Sequence, residues 1–128
     1  DHRDLHSFPT RRSSDLADTL AEVHKKFGRN DFIEMGVYIA RYHHERWDGS
    51  GYPENLQGED IPLCARIMAI ADVYDALASK RVYKVAFPHE KCVDIMIEGR
   101  GTQFDPYILD AFININKEFK KIREELEE

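Results

Sequence analysis

The segment that decides the fold is PLCARIMAIADVYDALASK, residues 62–80, which is apolar on nearly every side when it is drawn as a helix. Pro62 stands where the first residue of a helix tolerates proline, and Asp60 is a candidate cap. A helix that is apolar all round is buried by its neighbours, so this one is predicted to lie at the centre of the protein. Asp72 lies among these apolar residues. A carboxylate in a desolvated helix must be paired, hydrogen-bonded or metal-bound to stay ionised.

Amphipathic helices are predicted on both sides of this central segment, because apolar residues recur there at spacings of three and four. The predicted helices begin near Leu16, Asp31, Pro62, Pro88 and Pro106. Residues 47–61 contain too many glycines and prolines for a helix or a strand and are predicted to form a loop. No strand pattern is longer than a few residues, so the predicted fold class is all-α.

Composition limits the size and class of the protein. A chain of 128 residues with 42% hydrophobic and 33% charged residues forms at most one domain with a modest core. Its net charge of −6 argues against binding to a nucleic-acid polymer, since phosphate backbones are bound by basic surfaces. A small anionic ligand is still compatible, because a metal or a few local cations can hold it.

Cysteine usage and hydropathy predict the compartment. Cys64 and Cys92 lie far apart and form no Cys-x-x-Cys pair, which indicates buried thiols in a reducing compartment. No apolar run is as long as a membrane span, and no signal-peptide pattern opens the chain. These features predict a cytoplasmic protein with no membrane contact in this segment.

The first residues look foreign to the rest of the chain. Residues 1–16, DHRDLHSFPTRRSSDL, have no helical or strand period and resemble a translated adaptor scar, with an ordinary flexible tail as the alternative. The predicted domain is therefore 17–128, and His2 and His6 are given no functional role.

A second decisive stretch is HHERWDGSGYP, residues 43–53. His43 and His44 would be about a hundred degrees apart around a helix, so they could face neighbouring metal ions but could not chelate one ion as a His-x-x-x-His pair does. Together with Asp72 they would form a metal site of hard-to-intermediate character, which activates water for hydrolysis.

Structural alternatives exist for each of these side chains. One histidine could be a surface imidazole and the other could bond a loop carbonyl, and Asp72 could form an ion pair with Arg66 or Arg81. Asp75, one turn after Asp72, could orient a metal ligand or accept a bond from Arg66. His24 and His89 are isolated among polar residues and receive no role. The residues alone do not choose between these alternatives.

Cations follow the central helix, at Lys80, Arg81 and Lys84. The helix dipole favours cations there in any protein. The functional alternative is a phosphate clamp, in which Arg81 makes bidentate contacts and Lys84 supplies a point charge. Tyr52 either belongs to a tight turn with no further role, or its ring and hydroxyl contact a nucleotide.

These motifs carry a family resemblance. The stretch 43–63 closely resembles the HD-GYP family of bacterial phosphodiesterases, and so does ADVYDAL at 71–77 followed by Arg81 and Tyr83-Lys84. Phe104-Asp105-Pro106 resembles the start of the family's last helix. The resemblance extends from about residue 17 to residue 119.

The resemblance implies a helical HD-domain-like bundle that carries two or three ions of divalent iron or manganese. It implies hydrolysis of cyclic di-GMP to linear pGpG or GMP. It also implies a role in signal transduction, as part of a response regulator. By position, the implied metal ligands, which act in catalysis through metal-activated water, are His43, His44 and Asp72. The implied substrate-binding residues are Tyr52, Pro53, Arg81 and Lys84.

One departure from the family pattern is large. The family's histidine-aspartate doublet and a further histidine ligand lie upstream of the segment that begins at Leu16, where this chain has the foreign stretch. The chain is therefore predicted to be the C-terminal portion of such an enzyme and to be inactive alone. Two alternatives are a non-catalytic module that binds a cyclic dinucleotide or docks a signalling partner, such as a diguanylate cyclase, and a hydrolase of mixed cyclic GMP-AMP.

Overall fold

The computed structural model describes residues 10–27, 31–80 and 85–126. These ranges contain five α-helices: α1 Thr10–Phe27, α2 Asp31–Tyr42, α3 Leu63–Ala78, α4 His89–Glu98 and α5 Pro106–Leu126. In the same ranges, the β-type pairing is an isolated bridge between Arg100 and Phe104. The all-α prediction is confirmed. None of the helices in the described ranges is both long enough and apolar enough to cross a membrane.

The first helix begins earlier than predicted. α1 starts at Thr10, whereas the sequence pattern suggested no regular structure before Leu16. The added residues are polar, so they carry no amphipathic period from which a helix could be predicted, although arginine and serine are compatible with one. The predicted boundary after residue 16 therefore falls inside α1. Residues 1–9, including His2 and His6, lie outside the described residues.

The start of α3 relies on proline rather than on a side-chain cap. Pro62 is the N-cap residue, and no side chain makes a capping hydrogen bond there. The predicted cap by Asp60 is wrong, because Asp60 is the last residue of a short 3-10 turn, Gly58–Asp60. Pro62 thus precedes the first helical residue instead of being it, and its carbonyl accepts the first hydrogen bonds of α3, from the N–H groups of Ala65 and Arg66.

The core forms where the second half of α3 meets α4 and α5. Its buried members are Ile70, Val73, Tyr74, Leu77, Ala78, Cys92, Met96, Phe104, Leu109 and Phe112. The first half of α3 is covered less, because Leu63 and Ile67 are 55% and 51% exposed. The prediction of a wholly buried central helix is thus correct for its second half and wrong for its first. Likewise Cys92 is buried, whereas Cys64 is only half-buried.

A buried polar network joins three helices within this core. The hydroxyl of Tyr74 lies 2.8 Å from Nδ1 of His89, and Nε2 of His89 lies 2.9 Å from Oδ1 of Asn116. The amide oxygen can only accept, so Nε2–H donates to it, and in the neutral imidazole Nδ1 then accepts from the tyrosine hydroxyl. His89, which the sequence left without a role, therefore links α4 to α3 and α5.

Asp105 starts α5 as predicted and also ties it to α3. Its Oδ1 accepts hydrogen bonds from the backbone N–H groups of Tyr107 at 2.9 Å and Ile108 at 3.4 Å. Its Oδ2 accepts from Nη1 of Arg66 at 2.7 Å, and both side chains are largely buried. Arg66 also donates from Nε to the carbonyl of Ile61. Arg66 therefore pairs with Asp105 and not with Asp72 or Asp75.

Substituting Asp105→Ala should lower the free energy of unfolding by about 3–5 kcal/mol, because the change leaves the Arg66 guanidinium buried without its carboxylate and removes the cap of α5. Asp110→Ala is the matched control, since Asp110 forms a comparable ion pair with Arg100 on the surface, at 2.8 Å. The control should lose much less stability, because both of its side chains are half exposed to solvent. Urea unfolding followed by circular dichroism measures both, and equal losses would contradict this assignment.

Candidate metal centre

Three predicted ligands converge in the structure. His43, His44 and Asp72 each offer one ligand atom, and these atoms lie within 4.8 Å of one another. Ligand atoms that share one ion at about 2.0–2.2 Å each are separated by at most about 4.4 Å. The three side chains therefore fit one ion after a small adjustment, or two neighbouring ions. Imidazole and carboxylate together suit divalent transition metals.

The two histidines approach each other more closely than the helical argument predicted. α2 ends at Tyr42, and both histidines lie in the turn that follows. Their ring centroids are only 3.9 Å apart, with planes inclined by 41°. The predicted separation of about a hundred degrees holds for residues inside a helix, and both histidines lie beyond the end of α2.

A hydrogen bond sets the tautomer of His43. Its Nδ1 lies 2.6 Å from the carbonyl oxygen of Ile39, in the last turn of α2. A carbonyl oxygen can only accept, so Nδ1 carries the proton. In the neutral imidazole, Nε2 then holds the lone pair that a metal would use. A backbone contact on the other ring nitrogen is the usual way in which a protein orients a metal-binding histidine.

Asp72 is half-buried rather than buried, which corrects the predicted degree of desolvation. It lies beside the partly exposed first half of α3, where fewer side chains exclude water. It lines a cavity of about 200 Å³ together with both histidines and Arg46. Asp75 is exposed and accepts a hydrogen bond from the Ser79 hydroxyl at 3.2 Å, so it takes neither of the predicted positions.

The glycine-rich loop brings Tyr52 to the same cavity. Its backbone N–H donates to the carbonyl of His44 at 3.3 Å, and the two rings stack with centroids 5.1 Å apart. Pro53 follows through a cis peptide bond and is exposed. Gly51 packs directly against the backbone of residues 44–46. A Cβ there would be 2.5 Å from the His44 carbonyl oxygen and 2.7 Å from Cα of Glu45.

Sequence reasoning missed Glu45. This side chain is only 4% exposed although it is acidic and belongs to the HHERWDGSGYP motif. Its Oε2 accepts from the backbone N–H of Glu54 at 2.7 Å, and its Oε1 accepts from that of Leu56 at 2.8 Å. No periodicity marks a loop carboxylate as buried, so only its place within the motif could have drawn attention to it.

Two further contacts fix the start of the loop. The backbone N–H of Trp47 donates to the carbonyl of Gln103, and that of Asp48 donates to the carbonyl of Thr102 at 2.9 Å. The Ser50 hydroxyl donates to the Asp48 carboxylate at 2.5 Å, and this bond holds the pKa of Asp48 below its ordinary value. The connection between α4 and α5 thus supports the loop, and its Gln103 also lines the cavity.

The predicted phosphate clamp is not placed by the structure. Arg81 and Lys84 lie outside the described residues, and Lys80 is an exposed residue after α3. Their role stays a prediction from the sequence.

Substituting Gly51→Ala should disorder the contact between Tyr52 and His44, because the new methyl group would overlap the backbone of residues 44–46. Gly58→Ala is the control: Gly58 also lies in the loop, with φ of 59°, but nothing lies within 4 Å of an added Cβ. The control should lose only about 1–2 kcal/mol of stability from its left-handed backbone. Two-dimensional NMR of the His44 ring protons tests this, and equal shifts in both variants would contradict it.

Comparisons with known proteins identify the family. The chain matches the HD domain family over residues 10–108. It is 50% identical over 106 residues to a cyclic di-GMP phosphodiesterase of Vibrio cholerae serotype O1, a match that covers 83% of this chain and 22% of that protein. It is 48% identical over 94 residues to the cyclic di-GMP phosphodiesterase response regulator RpfG of Xanthomonas campestris pv. campestris, covering 73% of this chain and 25% of that protein.

A third relative has a different substrate in its name. The chain is 46% identical over 94 residues to the 3'3'-cGAMP-specific phosphodiesterase 2 of Vibrio cholerae serotype O1, covering 73% of this chain and 18% of that protein. The chain spans about a fifth to a quarter of the length of these curated relatives. Because the family match covers most of the chain and includes the stretch with both histidines and Asp72, this chain belongs to the HD domain family and is of the HD-GYP type.

Proposed function

We propose that this chain is part of a metal-dependent phosphodiesterase that hydrolyses cyclic di-GMP to linear pGpG or GMP in bacterial signalling. The observation that carries the proposal is the convergence of His43, His44 and Asp72 beside Tyr52 in one cavity. The phosphodiesterase names of relatives from two genera favour catalysis over a docking module. Because the chain spans only part of those relatives, the activity is proposed for the larger protein.

The proposed ligands are His43, His44 and Asp72, which would hold part of a centre of two or three divalent iron or manganese ions. When bound, such ions supply the Lewis acidity that makes water nucleophilic and offsets charge on phosphoryl oxygens. The chain's own part is positional. The Ile39 carbonyl orients His43, and the rigid second half of α3 holds Asp72.

The proposed substrate contacts are Tyr52, Pro53, Arg81 and Lys84. Tyr52 is half-buried and lines the cavity, so its ring and hydroxyl can meet a nucleotide there. Arg46 also lines the cavity and adds a cation where the phosphates of an anionic dinucleotide would lie. Arg81 and Lys84 enter on the sequence alone, as cations that follow the helix of Asp72.

A second substrate has a specific observation in its favour. The 46% identity to a relative named for 3'3'-cGAMP raises the mixed dinucleotide as an alternative to cyclic di-GMP. The two substrates can be discriminated with a longer version of the protein that includes the residues upstream of this chain, here called the protein completed upstream. Each dinucleotide is incubated with it, and the products are separated by liquid chromatography.

We also propose a cytoplasmic location. A diguanylate cyclase or another signalling protein is the candidate partner there.

The chain alone should bind divalent manganese weakly and should show no hydrolysis of cyclic di-GMP. The reason is that three ligands form only part of the proposed shell, and affinity depends on ligand number and on a preformed site. Isothermal titration with manganese and chromatography of the nucleotide measure the two properties. Turnover by this chain that a chelator abolishes would show that the described ligands suffice.

In a protein completed upstream, Arg81→Ala and Lys84→Ala should each weaken dinucleotide binding about tenfold or more and leave metal content intact. A charge-assisted phosphate contact contributes roughly 1.5–3 kcal/mol, which corresponds to that loss. Asp72→Ala should instead lose metal and activity together. Lys91→Ala, at an exposed lysine on α4, is the matched control. Loss of metal in Arg81→Ala, with normal dinucleotide binding, would reverse the assigned roles.

A further inference from the structure

The Glu45 carboxylate is the centre of the loop that follows the two histidines. It is 4% exposed, and each of its oxygens accepts a backbone N–H, from Glu54 and from Leu56. A buried carboxylate is costly unless it is hydrogen-bonded, and bonds to an ionised acceptor are stronger than neutral ones. The loop therefore folds around this side chain instead of leaving it to solvent.

The loop also closes on the backbone of Glu45. Gly51 packs against Cα of Glu45, as the 2.7 Å separation of an added Cβ shows. The side-chain amide of Asn55 donates to the Gly51 carbonyl, and Asn55 has a left-handed φ of 58°. Residues 51, 54 and 56 thus all contact Glu45, and Tyr52 lies within the segment that these contacts hold.

Tyr52 is therefore held from two sides. Its N–H donates to the His44 carbonyl. The two hydrogen bonds that Glu45 accepts from the N–H groups of residues 54 and 56, here called the clamp bonds, close the loop after Tyr52. We propose that Glu45 is a positioning residue, which keeps Tyr52 stacked on His44 and acts on dinucleotide binding through Tyr52 without binding the metal. The dinucleotide part of this inference depends on the proposed function, whereas the positioning of Tyr52 does not.

The contacts of Glu45 distinguish a positioning residue from a metal ligand. Glu45 lines the same cavity as Asp72, but the cluster of ligand atoms within 4.8 Å is formed by His43, His44 and Asp72. Both Glu45 oxygens point to loop amides. Glu45 is not a member of that group of ligand atoms, and the described bonds of its carboxylate go to the loop backbone, which is the contact expected of a residue that shapes the loop.

Glu45→Gln tests the proposal in the full chain, without any ligand. Glutamine keeps one accepting oxygen and places an NH₂ group against the second amide, so one clamp bond is lost. The amide of Glu54 or Leu56 should exchange with solvent about tenfold faster or more, and the His44 ring protons should shift as they do in Tyr52→Ala. Glu54→Gln is the matched control, because its exposed side chain lies in the same loop, and it should change neither signal.

A double-mutant cycle separates positioning from general destabilisation. If Glu45 acts through Tyr52, then Glu45→Gln combined with Tyr52→Ala should shift the His44 signals no further than Tyr52→Ala alone. Titration with manganese alone should give affinities within about twofold of the unsubstituted chain, because the substitution removes none of the three candidate ligand atoms. Additive shifts, unchanged amide exchange, or a parallel loss of manganese affinity would each overturn the proposal.

Binding of cyclic di-GMP adds the functional readout. In the protein completed upstream, Glu45→Gln and Tyr52→Ala should each weaken binding, and their effects should again not add. Failure of the unsubstituted protein to bind any cyclic dinucleotide counts against the proposed function, while the ligand-free NMR cycle still decides the role of Glu45. If Glu45→Gln loses its helical circular dichroism, Glu45→Asp replaces it, since aspartate keeps the charge and withdraws the carboxylate by one methylene.

Discussion

The packing of the second half of α3 against α4 and α5 is the constraint on which the candidate site depends. Val73, Tyr74 and Leu77 are buried in this contact, and Asp72 precedes them directly on the same helix. Because a packed helix cannot rotate without exposing these side chains, the direction of the Asp72 carboxylate is set by residues that take no part in chemistry. The Tyr74–His89–Asn116 network adds a polar constraint on the same rotation.

The acidic side chains of this chain differ in their burial and in their hydrogen-bond partners, and these two properties distinguish their roles. Asp105 is buried against Arg66 and starts a helix, while Glu45 is buried against backbone amides and shapes a loop. Asp72 is half-buried beside two imidazoles, where a metal can reach it. Asp110 forms its ion pair on the surface, where the Arg100 guanidinium lowers the pKa of the Asp110 carboxyl.

The motif at residues 43–53 combines candidate metal ligands with residues that shape the loop. His43 and His44 line the cavity, whereas Gly51 and Glu45 shape the chain that carries Tyr52. The support from the carbonyls of residues 102 and 103 connects this loop to the turn before α5. The same turn contributes Gln103 to the lining of the cavity.

The sequence by itself determined the all-α class, the starts of the last helices and the three side chains that meet at the site. Helical periodicity, the Asp105-Pro106 cap and the HD-GYP-like motif are local signals, so they can be recognised without a fold. Only the tertiary structure decided that the imidazoles lie after α2, that Asp72 stays half-buried and that Arg66 pairs with Asp105. Only the structure placed Glu45 inside the loop and His89 in the core. Burial and pairing of polar groups depend on residues distant in the chain, and no local pattern records which of them will meet.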